Sequence, residues 1–331
     1  MPTPYIKGES IDDVMRLAVE QIIAHGRQVV ASKGPTKELD GVLLELVNPR
    51  ARLSRTETRG KPFSCLGELC WYLAGTEDVH FIAYYIADYK GSADGDLVYG
   101  AYGPRMFWWK GVNQFASVAS ILGRKPSSRQ AVIQIFDAVD LVDLHSHIPC
   151  TCSLQFMIRG GALNMFTTMR SNDAYLGLAH DIFAFTMLQE IMARTLGVEL
   201  GTYKHAVGSL HLYDWDHDAA IEFIGEGWQS TIPMPPMPPG DPWPSIKVLL
   251  ASEEPLRTQG EFPGSSMDAL DSYWADLIHL LEAYSKRKDA AGLIAVRERI
   301  SSPAYTTFID QRLANLDSHG TTHGSPAPRS D

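Results

Sequence analysis

The stretch 150–181 reads CTCSLQFMIRGGALNMFTTMRSNDAYLGLAHD, and its pattern decides the fold. Residues 151–158 and 162–169 are rich in apolar side chains of the kind that form strands, and Arg159-Gly160-Gly161 between them favours a turn. A long apolar run follows over 179–195, and Gly197 is suited to end a helix there. The stretch therefore predicts a β-hairpin followed by a buried helix.

The flanking segments extend this alternation of strands and helices along most of the chain. Further strands are predicted at 40–48, 131–136 and 206–213, and further helices at 12–31, 64–74 and 114–122. Seven prolines between 233 and 244 exclude a regular helix or a central strand in that segment. Two more helices are predicted near 267–285 and 289–301. The chain is thus predicted to be α/β (α+β), with one domain over 1–316, extra C-terminal helices from about 265, and a disordered polar tail over 317–331.

Composition limits the classes of function. The chain has 331 residues, 45% of them hydrophobic, and can bury a sizeable core. Its formal net charge of -10 disfavours non-specific binding to nucleic acid, although a mononucleotide needs only a few local cations. The N-terminal residues do not resemble a signal peptide, and no run is long enough for a membrane span, so a cytoplasmic protein is expected.

The densest group of reactive side chains is a run of two histidines and two cysteines, namely His145, His147, Cys150 and Cys152. These types suit zinc, but ligands crowded into eight residues do not match the usual spacing of a zinc finger or ribbon, so no metal is predicted. A buried cysteine is usually an inert small hydrophobe, the interpretation favoured for Cys152. The third interpretation makes Cys150 a nucleophile directly before a strand, although a lone cysteine is weak evidence for that.

A second cluster combines a cation, a hydroxyl group and two carboxylates at the predicted strand–helix junction, as Arg170, Ser171, Asp173 and Asp181. An arginine beside a serine can bind an anion, and a helix N-terminus strengthens such binding. The plainer interpretation is a solvated loop with Asp181 in the first helical turn. The chain has no glycine-rich fingerprint of a P-loop or Rossmann fold, so a nucleotide would have to be held by this other arrangement.

These residues resemble those of the thymidylate synthases and the related pyrimidine hydroxymethylases. The resemblance is strongest over 129–213, in three ordered segments: Pro149-Cys150 with Gln155-Phe156, Arg170-Ser171-x-Asp173-x-x-Leu176-Gly177-Leu178, and Gly208-x-x-His211-x-Tyr213. Weaker matches lie around Glu68 and around Tyr99. The resemblance implies a mixed sheet packed by helices, with one sheet face forming a homodimer.

The resemblance also implies a covalent mechanism. Cys150 would attack C6 of a pyrimidine, which makes C5 nucleophilic towards the methylene of 5,10-methylenetetrahydrofolate. Glu68 would organise water and relay protons, and Tyr99 would help to remove the C5 proton. Asp181 would act on the base.

The same resemblance assigns the binding of a pyrimidine nucleoside monophosphate. Arg170 and Ser171 would hold the 5′-phosphate, joined by Arg129 from the partner subunit of the homodimer. His211 and Tyr213 would bind the sugar.

The folate side is implied in the same way. Asp173 would contact the folate, in the segment that also contains Leu176 and Gly177. The place where synthases have a tryptophan near the folate is occupied by Tyr84 or Tyr85, of which Tyr85 is the chosen candidate. The N-terminal phosphate-binding arginine of the family has Lys33 as a possible substitute.

One departure from the family predicts the base. Synthases have an asparagine where this chain has Asp181. The amide accepts from uracil N3–H and donates to O4, whereas a carboxyl group can accept from the amino group of cytosine and, when protonated, donate to N3. A mismatched base leaves unpaired buried groups, at a cost of about 1–3 kcal/mol each. Asp181 therefore predicts a cytosine nucleotide.

Further departures predict the product. Thr151 replaces the histidine that usually follows the nucleophile, Gln130 replaces a second arginine, and the apolar C-terminus that closes over folate has no counterpart. Looser closure would admit water, which predicts a CMP or dCMP 5-hydroxymethyltransferase. Similarity to hydroxymethylases of nucleoside-antibiotic pathways favours CMP. The alternatives are a divergent thymidylate synthase that methylates dUMP and, less favoured, a non-catalytic nucleotide- or RNA-binding protein.

Overall fold

The protein was analysed as a computed structural model, which describes residues 5–261, 267 and 270–320, without the side chains of 317–320. Its centre is a mixed sheet, and the described strands are β1 Tyr5–Gly8, β2 Arg27–Ala31, β3 Gly34–Leu46, β4 Val132–Gln134, β5 Thr151–Arg159, β6 Ala162–Asp173 and β7 Glu199–Tyr213.

The sheet has the order β1-β3-β7-β6-β5-β4, and β2 also pairs with β3. The pairs β1–β3 and β6–β7 are parallel, and the other pairs are antiparallel. The parallel pair β6–β7 places Ser171 opposite Ser209 and Asp173 opposite His211. Since these residues lie at the carboxyl ends of both strands, their polar side chains meet at one edge of the sheet.

Helices cover the sheet and extend to the C-terminal part of the chain. They are α1 Ile11–His25, α2 Pro62–Ala74, α3 Val79–Tyr85, α4 Tyr102–Phe107, α5 Gln114–Arg124, α6 Gly177–Leu196, α7 His217–Gly225, α8 Trp243–Gln259, α9 Ser272–Ser285, α10 Ala290–Arg299 and α11 Pro303–Gly320. Among the described residues, no helix combines the length and the apolar composition needed to cross a bilayer.

The predicted β-hairpin and buried helix are confirmed as β5, β6 and α6. Helix α6 is buried over most of its surface because it lies between the sheet and α2, and it ends at Gly197, whose φ of 65° is in the left-handed region. The Gly160-Gly161 turn, with φ values of 58° and 82°, joins the two strands. The fold is therefore the predicted mixed α/β arrangement.

The helix predicted over 12–31 is wrong over its last residues, 26–31. Helix α1 ends at His25, and residues 27–31 form β2, which pairs with β3 in antiparallel fashion. Gly26 is extended, with φ -63° and ψ 140°, and the β-branched and polar residues after it find strand partners in β3. The correction matters for function because the β2–β3 hairpin carries Lys33 to the cavity described below.

The C-terminal prediction also needs correction. Helix α8 begins at Trp243, within the proline-rich segment, because Pro244 lies in its first turn, where proline is tolerated. The extra helices thus begin before 265. Helix α11 reaches Gly320, inside the segment predicted as a tail, and the rest of that tail, 321–331, lies outside the described residues.

Candidate active site

A cavity of about 1230 Å³ lies where the sheet edge meets the helices. On one side it is lined by the β2–β3 hairpin and by the ends of β6 and β7; on the other side it is lined by α2, the start of α6 and the C-terminal helix α11. Among the predicted site residues, the lining includes Cys150, Glu68, Asp181, Arg170, Ser171, His211, Tyr213, Asp173, Leu176, Gly177 and Tyr85. The chain therefore brings together most of the residues singled out from the sequence.

Cys150 lies directly before β5, and the strand pairing is irregular between Thr151 and Ser153. Such a bulge reorients the side chains next to it. The carbonyl of Cys150 accepts a hydrogen bond from the backbone N–H of Arg170 at 2.8 Å, which fixes the cysteine beside the end of β6. A guanidinium nitrogen, Nη2 of Arg170, lies 3.6 Å from Cys150 Sγ.

The guanidinium group of Arg170 favours the thiolate form of Cys150 only in direction. Burial raises the pKa of Cys150 above its ordinary value, and the lowering effects of Arg170 and Lys33 do not offset it, since Asp181 also raises the pKa. The thiol is therefore protonated at neutral pH in the protein alone, and it must lose its proton before it can attack.

The anion-binding end of the cavity is held by backbone contacts. Arg170 Nε donates to the carbonyl of Pro149 at 2.9 Å, and Nη2 donates to that of Ile148 at 3.2 Å. These bonds fix the guanidinium group at the cavity wall, which is also lined by Ser171 and, from the β2–β3 hairpin, by Lys33. Arg129 is exposed and does not border the cavity of a single chain.

His211 and Tyr213 lie side by side along β7, with ring centroids 5.1 Å apart. The Tyr213 ring also stacks on Trp215, with centroids 4.2 Å apart. Ser209 lies two residues before His211 on β7, and its hydroxyl group donates to the carboxylate of Glu38 on β3 at 2.6 Å. This bond lowers the pKa of Glu38, which lines the cavity as an ionised acceptor that the sequence did not suggest.

Glu68 is buried and accepts hydrogen bonds from two helices and a loop. Its Oε1 accepts from the hydroxyl groups of Tyr89 at 2.6 Å and Tyr72 at 3.1 Å, and its Oε2 lies 2.9 Å from Nδ1 of His180. Burial alone would raise the pKa of Glu68, but His180 and the two tyrosines hold it below the ordinary value. Glu68 is therefore ionised and able to accept protons.

The carboxyl group of Asp181, unlike that of Glu68, is mostly uncharged at neutral pH. Burial and the nearby charge of Glu68 raise the pKa of Asp181 to about 8, although Asn172 Nδ2 donates to its Oδ2 at 2.6 Å. At neutral pH the carboxyl group is therefore mostly protonated. Asn172 is almost fully buried, and its side-chain oxygen Oδ1 has no hydrogen-bond partner.

The structure does not bring Tyr99 to the cavity. Its ring stacks on that of His145 with centroids 3.4 Å apart, and its other side contacts the guanidinium group of Arg105. The tyrosine hydroxyl groups that reach Glu68 belong to Tyr89, in a 3₁₀ segment, and to Tyr72. No local pattern distinguishes Tyr89 from its neighbours, since only the fold directs its hydroxyl group towards Glu68.

Asp173 turns the chain between β6 and α6. Its Oδ1 accepts from the backbone N–H groups of Tyr175 at 2.8 Å and Leu176 at 2.9 Å, so neither bond uses the second carboxylate oxygen. Leu176 is 38% exposed, which is high for a leucine and leaves it accessible from the cavity. Gly177 follows as the first residue of α6.

Tyr85 lines the cavity only at its base. Its side chain is buried, and its hydroxyl group donates to Glu253 on α8 at 2.8 Å. The ring lies against α2 at Gly67, where an added Cβ would come within 2.2 Å of the ring, so glycine is required there. Tyr84, the alternative candidate, packs against Tyr284 and does not border the cavity.

The C-terminal helix α11 contributes a wall that the sequence did not predict. Phe308 and residues one and two turns after it, including Gln311 and Arg312, border the cavity. The helix is anchored because Arg55 Nη1 donates to the carbonyl of Ala304 at 2.6 Å and the same guanidinium group lies over the Phe308 ring.

The histidine–cysteine cluster does not form a metal site in the part of the chain that the structure describes. No three His, Cys, Asp or Glu side chains converge there so that they could bind an ion. His145 instead pairs with Asp94, while burial, with Lys33 and Arg170 nearby, lowers the pKa of His147 to about 4.

Comparison with known proteins agrees with this geometry. The family model described as thymidylate synthase matches residues 51–234, which is more than half of the chain. The chain belongs to the thymidylate synthase family. The matched range contains Cys150, Glu68 and Asp181 and the ends of β6 and β7, whereas Lys33, Glu38 and α11 lie outside it.

A curated relative named as a hydroxymethyltransferase also matches part of the chain. The chain is 31% identical over 209 residues to a deoxyuridylate hydroxymethyltransferase of Bacillus phage SP01. That alignment covers 58% of this chain and 55% of the phage protein, so the chain spans about half the length of the curated relative it matches.

Proposed function

We propose that the protein is a pyrimidine nucleotide C5 hydroxymethyltransferase that acts on a cytidine monophosphate and 5,10-methylenetetrahydrofolate. The observation that carries the choice of base is the protonated carboxyl group of Asp181, which Asn172 holds at the cavity wall. A neutral carboxyl group donates one hydrogen bond and accepts another, the pattern that N3 and the 4-amino group of cytosine require.

The nucleotide is held by the strand side of the cavity. Arg170 and Ser171 bind the phosphate together with Lys33, and His211 and Tyr213 bind the sugar. Arg129 does not border the cavity of its own chain. It therefore completes the phosphate site of a second copy of the chain in a homodimer.

Cys150 supplies the nucleophile. Its Sγ bonds to C6 of the base, which makes C5 nucleophilic towards the folate methylene. Loss of the C5 proton then expels tetrahydrofolate and leaves an exocyclic methylene on C5, and the Sγ–C6 bond breaks only after water has added to that methylene. Glu68 and the hydroxyl group of Tyr89, 2.6 Å apart, form the proton relay beside this centre. Arg170 stabilises the thiolate that the buried thiol must become.

The remaining space fits a folate. The cavity exceeds the roughly 300–1,000 Å³ of an ordinary small-molecule site, since it measures about 1230 Å³. The second carboxylate oxygen of Asp173 can accept from ring N–H groups, and Leu176, Gly177 and Phe308 provide apolar surface. Bound there, the folate supplies a methylene carbon at the oxidation level of formaldehyde.

Water completes the product. Because water supplies the hydroxyl group on that carbon, the folate is released as tetrahydrofolate without any change of oxidation state. Methylation would instead oxidise the folate to dihydrofolate. Likeness to a phage enzyme named as a hydroxymethyltransferase supports this outcome. That enzyme is named for deoxyuridylate, which makes dUMP hydroxymethylation the second candidate; the family name makes dUMP methylation a third.

The deciding assay incubates CMP, dCMP and dUMP separately with methylenetetrahydrofolate and identifies the products by mass. We expect 5-hydroxymethyl-CMP, with dCMP as the next best substrate. Methylated dUMP without any hydroxymethylated cytidylate would contradict the proposal, and hydroxymethyl-dUMP alone would establish the second candidate.

The pH dependence of cytidylate binding tests the role of Asp181. Since the carboxyl group must be protonated and its pKa is about 8, the affinity for CMP should fall as pH rises from 7 to 9. In Asp181→Asn this fall should disappear, and the preference for cytosine over uracil should decrease about 10–100-fold, the effect of one or two mispaired groups. An unchanged base preference in Asp181→Asn would remove Asp181 as the selector.

A further inference from the structure

The cavity contains a titratable side chain that the proposed chemistry does not use. His180 is on α6, next to Asp181, and its ring fills the space between α6 and α2. Its Nδ1 lies 2.9 Å from Oε2 of Glu68, and its Nε2 lies 3.4 Å from Oγ of Ser64.

Both ring nitrogens of His180 therefore face a hydrogen-bond acceptor. The hydroxyl group of Ser64 donates to the carbonyl of Lys61 at 3.4 Å, which leaves its oxygen to accept from Nε2. Glu68 Oε2 can only accept, because the carboxylate is ionised. A ring that donates from both nitrogens is an imidazolium, so the contacts fit the charged form of His180.

The ring of His180 interacts with Cys65, Ser64 and Glu68 of α2, and the neighbouring carboxyl group of Asp181 interacts with Glu68, Asn172, Asp173 and His180. Burial opposes a charged imidazole, but Cys65 and Glu68 raise the pKa of His180 to about 10. Glu68 and Asp181 thus share one pocket with pKa values shifted in opposite directions.

We propose that His180 is a positioning residue that assigns the single proton of the two carboxyl groups, keeping Glu68 ionised and leaving the proton on Asp181. The inference rests on the proposed function, because it specifies how the base reader and the proton relay keep different charge states. A buried carboxylate is costly unless a cation pairs with it, and His180 is the cation in hydrogen-bonding contact with Glu68.

The consequence of losing His180 follows from the same electrostatics. Without the imidazolium, Glu68 takes up a proton more easily, and the negative charge that raises the pKa of Asp181 is lost, together with the smaller lowering effect that His180 itself has on that pKa. The proton then moves from the base reader to the relay. Both cytosine recognition and proton transfer should deteriorate together, a result that simple loss of packing does not predict.

The first test measures charge without substrate. In protein labelled with ¹⁵N-histidine, we expect the His180 ring to remain protonated on both nitrogens at pH 7, and its pKa to fall by at least two units in Glu68→Gln. A neutral His180 ring at pH 7 in the wild-type protein would overturn the inference, even if the protein hydroxymethylates CMP. A charged ring that depends on Glu68 would support it, even if the substrate proved to be dUMP.

The second test compares His180→Gln with His217→Gln, a half-buried control at the start of α7 that does not border the cavity. Glutamine keeps a donor towards Glu68 but cannot carry the charge. For His180→Gln we expect the acid limb of the kcat profile to move to higher pH by about one unit, and the preference for cytosine to decrease about tenfold. A lower kcat with an unchanged pH profile and unchanged base preference would mean that His180 contributes only to packing, and this would overturn the inference.

Discussion

The two walls of the cavity differ in composition and in origin. The strand wall, at the ends of β6 and β7, presents a guanidinium group, a hydroxyl group and an imidazole, namely Arg170, Ser171 and His211. The helix wall presents aromatic rings from α2, α9 and α11, namely Phe63, Tyr284 and Phe308. The strand wall suits an anionic sugar phosphate, and the helix wall suits a flat ring system.

The difference follows the family boundary in part. The ends of β6 and β7 lie inside the matched range 51–234, as does α2 on the helix wall, whereas α9 and α11 lie outside it. Under the proposed function, the nucleotide would therefore bind mainly to elements inside the matched range, and the folate partly to helices outside it. Variants on either wall should therefore affect different steps, and three of them test this separation.

The largest effect is expected for Cys150→Ala on the strand wall. Loss of the nucleophile should lower turnover by at least about 10³-fold, because no other group can form the covalent bond to C6. The affinity for the nucleotide, measured by calorimetry, should remain within a few-fold of the wild-type value. Cys152→Ala is the matched control, since Cys152 lies two residues away without bordering the cavity. Full activity of Cys150→Ala would exclude the covalent mechanism.

The next effect distinguishes two tyrosines. Tyr89→Phe should lower kcat about 10–100-fold, because it removes the hydroxyl group that donates to Glu68 at 2.6 Å. Tyr99→Phe should change kcat less than threefold, since Tyr99 does not border the cavity and its ring stacks on His145. Steady-state kinetics at saturating nucleotide gives both values. The reverse order would restore the assignment made from the family resemblance.

The smallest effect is expected on the helix wall. Phe308→Leu should raise the KM for methylenetetrahydrofolate several-fold and leave the nucleotide Kd unchanged, because it removes aromatic surface without removing the apolar contact of α11. Phe223→Leu, at an equally buried position of α7 outside the cavity, controls for lost stability. In Phe308→Leu, a similar rise in the KM for methylenetetrahydrofolate and in the nucleotide Kd would mean that the two walls do not act separately.

The elements that the sequence predicted well have strong local patterns. The β5–β6 hairpin follows from two apolar runs around Gly160-Gly161, and α6 follows from a long apolar segment before Gly197. The missed elements have weak or misleading local patterns. Helix α1 was extended into β2, because residues 27–31 continue an apolar pattern whose strand partner lies in β3.

The C-terminal helices show the same limit. Helix α8 was missed because proline was taken to exclude a helix, although Pro244 occupies the first turn. Helix α11 was not predicted, and its position depends on contacts with Arg55, more than 200 residues earlier in the chain. No spacing rule connects such distant segments.

The sequence by itself determined which reactive groups the chain has and in what order. It supplied Cys150, Glu68, Asp181 and the arginine–serine pair, with spacings close enough to the family to predict the fold and the class of chemistry. Those features are local, because each depends on residues within one strand, turn or helix.

Only the tertiary structure decided the charge states and the choice of tyrosine. The pKa of Asp181 rises because burial and Glu68, from a helix more than 100 residues earlier, disfavour its ionisation. Glu68 remains ionised because His180 and Tyr89 reach it from two other segments. Charge interactions depend on distance in space and on exclusion of water, and neither quantity exists until the chain has folded.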